Sequence, residues 1–247
     1  TLLERDHREA DIVSAVERLR PRIGNISLDL IFGVPGQSLD SWEQSLSRTV
    51  KLQPTHVSAY GLTFEKGTAF WSRRRQGTLT PLPDDRERAM YAQAMDRLPA
   101  AGLEQYELSN FARPGFRCRH NEGYWQGRPH FAFGPGAVSY LDGMRATNHR
   151  SVTTWLRRVL AGQSPIAETE RLEPEDRARE LLVIGLRTCG GVDRDDFRRR
   201  TGFDLHALAG EAIRKHQSFG LLEDDARRLR LTREGRFVAD SVIVDLL

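Results

Sequence analysis

The sequence has few cysteines, no long apolar run and no initiating methionine. Cys118 and Cys189 are its two cysteines. A disulfide framework is therefore excluded, and the usage points to a reducing compartment. No stretch reaches the ~18 consecutive apolar residues of a membrane span. Glu4, Arg5, Asp6 and Arg8 interrupt the opening residues, which do not read as a secretory leader. C-x-x-C, H-E-x-x-H, a Ser-His-Asp set, G-x-G-x-x-G and the P-loop are all missing. Neither sign of charge dominates: 37 Lys and Arg face 34 Asp and Glu, a net of +3. A charge that small and that dispersed gives nucleic acid little to hold. Internal repeats and low-complexity tracts are lacking too. What remains is a cytoplasmic globular protein with 39% hydrophobic and 29% charged residues, enough for a core and against disorder.

The chain opens at Thr1 inside an amphipathic helix, with Ile12, Val16 and Leu19 on one face. Residues 25–32 read as a buried strand closed by the turn Gly33-Val34-Pro35-Gly36-Gln37. A helix over 40–52 follows, with Asp40 and Glu43 at capping-box spacing and Trp42, Leu46 and Val50 on its apolar face. Pro54 stops it, and 56–62 form the next strand. This αβαβ order is that of a parallel α/β sheet or barrel. Such a sheet needs more strands than follow, so an N-terminal part is expected before Thr1. The polar stretch with Gly67, Arg73, Arg74, Arg75 and Gly77 is expected to be a long loop. A helix over 84–100 and a short strand over 104–109 come next. Residues 110–150 have loop composition but hold large aromatics, as segments that cover a site do. Beyond 151 the pattern predicts helices from Ser151, from Pro174, near 193–200 and over 204–218. Strands at 219–223 and 228–232 and a last helix from Thr232 complete a winged-helix-like pattern.

Few residues suggest chemistry. Asp29 is an acid inside an otherwise apolar strand, costly unless hydrogen-bonded. It lies near the strand's C-terminal end, where α/β folds bind ligands. The residues alone leave two readings open, a carboxylate for a ligand's hydroxyl or ammonium and a structural acid paired with an arginine. The turns at Gly33–Gly36 and Gly134–Ala137 read as tight turns, the second beside Phe131, Phe133 and Tyr140. The densest cluster is His120-Asn121-Glu122-Gly123-Tyr124-Trp125. Imidazole is the usual protein ligand of haem iron, and Tyr and Trp offer flat faces with a polar tip. The same residues also suit a loop pinned by its own aromatics. Cys118-Arg119-His120 lacks the further ligands that zinc needs.

Taken together, Asn25-Ile-Ser-Leu-Asp-Leu-Ile-Phe-Gly-Val-Pro-Gly-Gln37, Val57-Ser-Ala-Tyr-Gly-Leu-Thr63, Tyr106-Glu-Leu-Ser-Asn-Phe-Ala-Arg-Pro-Gly115 and His120-Asn-x-x-Tyr-Trp125 carry a family resemblance. The chain resembles the HemW-type radical-SAM proteins, relatives of the oxygen-independent coproporphyrinogen III oxidases (HemN-type). The resemblance implies an α/β fold: the C-terminal part of a partial (β/α) barrel over 1–112, a connecting region over 113–170 that holds the HNxxYW motif, and a small helical, winged-helix-like domain over 171–247. It also implies a [4Fe–4S] cluster held by C-x₃-C-x₂-C, S-adenosylmethionine (SAM) on that cluster, and haem. Carried over residue by residue, Arg5, Asp29, Thr63 and Val138 are expected to contact SAM. His120, Asn121, Tyr124 and Trp125 are expected to contact haem, with His120 the candidate iron ligand. The cluster cysteines are absent from this sequence, and Val138 stands where relatives carry histidine. The implied activity is haem chaperoning, delivering haem to haem proteins, membrane-associated ones among them. The alternative is porphyrinogen decarboxylation of the oxidase type. A DNA-binding winged helix would have only Arg214 and Lys215 on its recognition helix, offset by Asp204 and Glu211.

Overall fold

The computed structural model describes residues 8–247. They form two compact units, the first ending at Cys118 and the second running Arg119–Leu247.

The first unit is a βαβ core with an added hairpin. Its elements are α1 (Glu9–Leu19), β1 (Ser27–Phe32), α2 (Leu39–Lys51), β2 (His56–Gly61), α3 (Ala69–Arg75), α4 (Asp84–Ala100), β3 (Glu104–Gln105) and β4 (Asn110–Ala112). The sheet order is β1-β2-β4-β3. β1 and β2 run parallel, from Ser27 opposite His56 to Phe32 opposite Gly61, while β4 pairs antiparallel with both β2 and β3. Successive strand side chains alternate between faces. In β1 that alternation puts Leu28, Leu30 and Phe32 on one face and Ser27, Asp29 and Ile31 on the other. The apolar face meets α2 and α4: Phe32 lies 5.6 Å from the Trp42 ring and stacks on Tyr91 at 5.8 Å. Trp42 is buried and its indole N–H donates to the Met90 carbonyl at 2.8 Å, which ties α2 to α4. Leu46, Val57, Ala94, Leu98 and Phe111 complete this core.

Two local expectations are corrected here. The cap of α2 is Ser38, whose hydroxyl accepts from the Ser41 N–H at 3.1 Å, not Asp40. The stretch expected to be a loop holds α3, started by Thr68, whose hydroxyl accepts from Trp71 N–H. That cap starts the helix, and the three consecutive arginines fall in its last turn, where positive charge is favourable.

The second unit holds α5 (Arg119–Trp125), β5 (Val138–Leu141), β6 (Met144–Asn148), α6 (Val152–Leu160), β7 (Ile166–Arg171), α7 (Pro174–Leu186), β8 (Val192–Asp193), α8 (Arg194–Thr201), α9 (Leu205–Ser218), β9 (Leu222–Asp224), β10 (Arg228–Leu231), α10 (Arg233–Phe237) and α11 (Ala239–Asp245). Two antiparallel sheets are present, β5-β6-β7 and β8-β10-β9. The segment expected to be irregular, 110–150, thus contains a helix and a hairpin. The hairpin turns at Asp142 and Gly143, both at positive φ (50° and 75°), the conformation a two-residue primed turn demands. Ser151 caps α6 as expected. The C-terminal helix is broken in two at Val238. Ala178, Leu182, Leu186, Ile213, Leu229 and Val242 form the core beneath β8-β10-β9. No helix among the described residues is long and apolar enough to cross a membrane.

Candidate functional site

In the first unit, the face of the sheet away from α2 and α4 is polar. Asp29 stands in register with Ser58, and Ser58 with Asn110. Asp29 is exposed and makes no hydrogen bond or ion pair among the described residues. No arginine pairs with it among the described residues. Beside this row, buried His56 bridges Ser27 Oγ at Nδ1 (2.8 Å) and the Tyr106 hydroxyl at Nε2 (2.9 Å). Burial pushes its pKa below the usual histidine value, partly opposed by the Asp29 carboxylate. Glu107 accepts from the Ser109 N–H at 2.8 Å and from the Asn110 side-chain amide. Thr63 is exposed just past β2. Arg5 lies outside the described residues.

Sequence reading missed Glu87. It projects from the first turn of α4 against the glycines that end β1 and β2. A Cβ on Gly61 would come within 2.6 Å of its Oε1, and one on Gly33 within 3.4 Å of its carboxyl carbon. Burial raises its pKa, and the neighbouring Asp84 carboxylate raises it further. The available signal was an acid cluster at a helix start, which normally reads only as a favourable dipole interaction.

The second unit holds a cavity of about 440 Å³, within the usual range for small-molecule sites. Tyr124 and Trp125 from α5, His130 from the following segment and Val138 and Tyr140 from β5 line it, against Leu181 and Ile184 of α7. It opens to solvent, since Tyr124 and Val138 are each 40% exposed. On α5, His120 and Tyr124 are one turn apart, and their rings meet edge to face at 4.8 Å. Tyr124 meets His130 in the same way at 4.6 Å, and His130 lies 6.3 Å from Tyr140. A row of four rings results, His120–Tyr124–His130–Tyr140. Tyr124 and Trp125 line the cavity; His120 is exposed and does not line it, and Asn121 is half-buried.

Cations surround this apolar lining. Arg128, Arg145 and Arg177 all reach the cavity. Arg145 is neutralised by Glu170 and Glu180, whereas Arg177 lies over the Tyr140 ring at 5.3 Å. The guanidinium of Arg187 sits 4.8 Å from the Trp125 centroid, and the Trp125 indole N–H is buried without a hydrogen-bond partner. Gly127 permits α7 to approach: a Cβ there would lie 2.3 Å from Leu181 Cδ2. Flat apolar walls, imidazole and guanidinium suit a planar, anionic, metal-bearing ligand.

Of the expected SAM contacts, Asp29 and Thr63 belong to the first unit and Val138 to the second. The described residues do not fit an iron–sulfur cluster. Among them no three His, Cys, Asp or Glu side chains converge as a metal site, and Cys118 and Cys189 form no disulfide and belong to different units.

Comparison with known proteins bears on both units. Residues 172–238 match the HemN C-terminal domain family. The chain is 33% identical to the heme chaperone HemW of Bacillus subtilis, over 96% of this chain and 63% of that protein. It is 38% identical to HemW of Synechocystis over 77% of this chain and 47% of that one. Against the mitochondrial radical S-adenosyl methionine domain-containing protein 1 of Bos taurus it is 34% identical, over 100% of this chain and 58% of the relative. The chain thus spans less than two thirds of the length of these relatives. Among solved structures, coproporphyrinogen III oxidase (HemN) from Escherichia coli, described as a radical SAM enzyme, superposes with a TM-score of 0.81. It is 17% identical over 99% of this chain and 60% of the oxidase, so the fold is the one that radical SAM enzyme has.

Proposed function

Because the chain is similar to the heme chaperone HemW along nearly its whole length and carries a HemN C-terminal domain, we propose that it is the haem-handling part of a haem chaperone. The observation that carries this reading is the cavity beside α5. The motif His120-Asn-x-x-Tyr-Trp125 supplies two of its walls, Tyr124 and Trp125, with imidazole and guanidinium at its margin. Haem is the cargo, not a resident cofactor. One face of the macrocycle rests on the Tyr124 and Tyr140 rings, with Leu181 and Ile184 excluding water. Arg128 and Arg177 neutralise the propionates, since Arg145 already serves two carboxylates. Asn121 and His120 support Tyr124 from the same helix. An open, partly exposed pocket suits a protein that must release what it binds to haem-accepting proteins.

In the same reading the first unit addresses SAM. The exposed carboxylate of Asp29 accepts hydrogen bonds from SAM's hydroxyl or ammonium groups. Thr63 at the end of β2 is a further contact in this unit. SAM bound to a [4Fe–4S] cluster would supply one-electron chemistry in the whole protein. Decarboxylation of coproporphyrinogen III is the alternative that the HemN fold allows. The HNxxYW motif, which the resemblance attaches to the chaperones, favours haem.

The test is a titration of ferric haem into the chain. A saturable Soret band at one equivalent is expected. Tyr124→Ala and Trp125→Ala should each weaken binding about tenfold, the value of one lost aromatic contact. Absence of a saturable band would refute the reading.

A further inference from the structure

Resting on the haem reading above, we propose that His130, not His120, is the side chain that ligates the haem iron. Three observations converge on it. His130 lines the cavity, and His120 does not. Both histidines meet the same Tyr124 ring, at 4.6 Å and 4.8 Å, but only His130 is among the residues that line the cavity.

The second observation is the state of the imidazole. His130 Nδ1 lies 3.2 Å from the Arg128 carbonyl oxygen. A carbonyl only accepts, so Nδ1 carries the proton and donates it. That tautomer leaves the Nε2 lone pair free, and Nε2 has no partner among the described residues. Metal-ligating histidines are held in this way, with the far ring nitrogen donating to a carbonyl or carboxylate. The contact fixes the ring and its tautomer.

The third observation is backbone restraint. His130 and Tyr140 form an isolated antiparallel bridge. The His130 N–H donates to the Tyr140 carbonyl at 2.8 Å, and the Tyr140 N–H donates back at 2.9 Å. The ligand is therefore pinned to the strand that forms the cavity wall, whereas His120 sits exposed in the first turn of a seven-residue helix. Coordination forms one Nε2–iron bond and displaces a weak axial ligand such as water. The imidazole stays neutral and no electron is transferred. Arg177, over Tyr140 at 5.3 Å, and Arg128 line the same cavity as His130 and are available to the propionates.

The experiment compares the wild-type chain with His130→Ala, His130→Asn and His120→Ala. Each is titrated with ferric protoporphyrin IX and followed by Soret position and by the electron paramagnetic resonance of the ferric iron. His130→Asn retains a side-chain donor for the Arg128 carbonyl and removes the iron ligand, so it separates folding from ligation. Both His130 variants should lose the imidazole-ligated spectrum and bind about 10- to 100-fold more weakly. Free imidazole should restore that spectrum in His130→Ala. His120→Ala should keep the wild-type spectrum with at most a small loss of affinity. An unchanged spectrum in both His130 variants, with the signature lost in His120→Ala, would overturn the assignment and leave the haem reading standing. A wild-type chain that shows no saturable Soret band removes the haem reading and the ligand together.

Discussion

At the scale of the residue, the environment of each titratable group was harder to read than its identity. Asp29 stood out in the sequence because a carboxylate in an apolar strand is conspicuous. Its exposure, with no partner among the described residues, depends on which strand face is polar, and alternation in β1 settles that. His130 carried no signal, since its position comes from a two-residue bridge to Tyr140 and not from any local period. His56 makes a pH prediction. Burial lowers its pKa in the folded state, so the unfolded chain takes up the proton more readily, and stability rises with pH wherever that holds. The contribution is complete above the unfolded value of 6.5 and is lost as pH falls below it toward the folded pKa. Glu87 works in the opposite sense above 4.5, because its folded form keeps the proton longer. Urea unfolding of wild type and His56→Gln on either side of the histidine value cancels the Glu87 part. The wild type should lose more stability than the variant on acidification; equal losses would contradict the assignment.

Among the elements, long periodic helices were legible and short capped or hairpin pieces were not. Residues 84–100 were expected as a helix and form α4 with the same bounds, because Met90, Ala94, Met95 and Leu98 share one buried face. The β5–β6 hairpin was missed although Asp142-Gly143 is its turn signal. Its strands, four and five residues long, show little alternation, and the aromatic, glycine-rich flanks obscured it. For α2, both Ser38 and Asp40 are helix-start residues, and only geometry decides between them. Ser38→Ala should cost about 1 kcal/mol in thermal or denaturant unfolding. Asp40→Ala should cost a few tenths, the weaker effect of a first-turn charge. A larger loss for Asp40→Ala would restore the cap expected from sequence. The β9–β10 hairpin was readable because Asp224-Asp225-Ala226 punctuates it, whereas the two-residue β8 that completes its sheet, at the start of the helix expected near 193–200, was not.

On the whole-molecule scale, a mild net charge of +3 hides extensive local pairing. In the second unit Arg194 is neutralised by Asp224, Arg230 by Glu223 at 2.6 Å and Lys215 by Asp245 at 2.6 Å. The Lys215 and His216 side chains hold the Asp245 carboxyl below the usual carboxylate range. Lys215, one of two cations on the would-be recognition helix, is thus committed internally. The second unit should therefore bind duplex DNA no more tightly than non-specific proteins do at physiological salt, with a Kd of roughly 10⁻⁴–10⁻⁶ M. Fluorescence anisotropy with a labelled duplex checks this, and submicromolar, steeply salt-dependent binding would contradict it. The α/β class and the C-terminal domain were legible from element order. The cavity was not, because its walls come from α5, β5 and α7, elements far apart in sequence whose meeting no local pattern encodes.

The bridge between His130 and Tyr140 has a kinetic consequence. Two reciprocal hydrogen bonds, with no continuing ladder on the His130 side, make a latch that opens at low free energy compared with the sheet beside it. In hydrogen–deuterium exchange, the amides of His130 and Tyr140 should exchange sooner than those of Ala146 and Thr147 within β6. Haem should slow the first pair and leave the second unchanged. In the proposed haem-carrying role, occupancy would close this latch, and its thermal opening, not breakage of a strong fold, would set the rate of release.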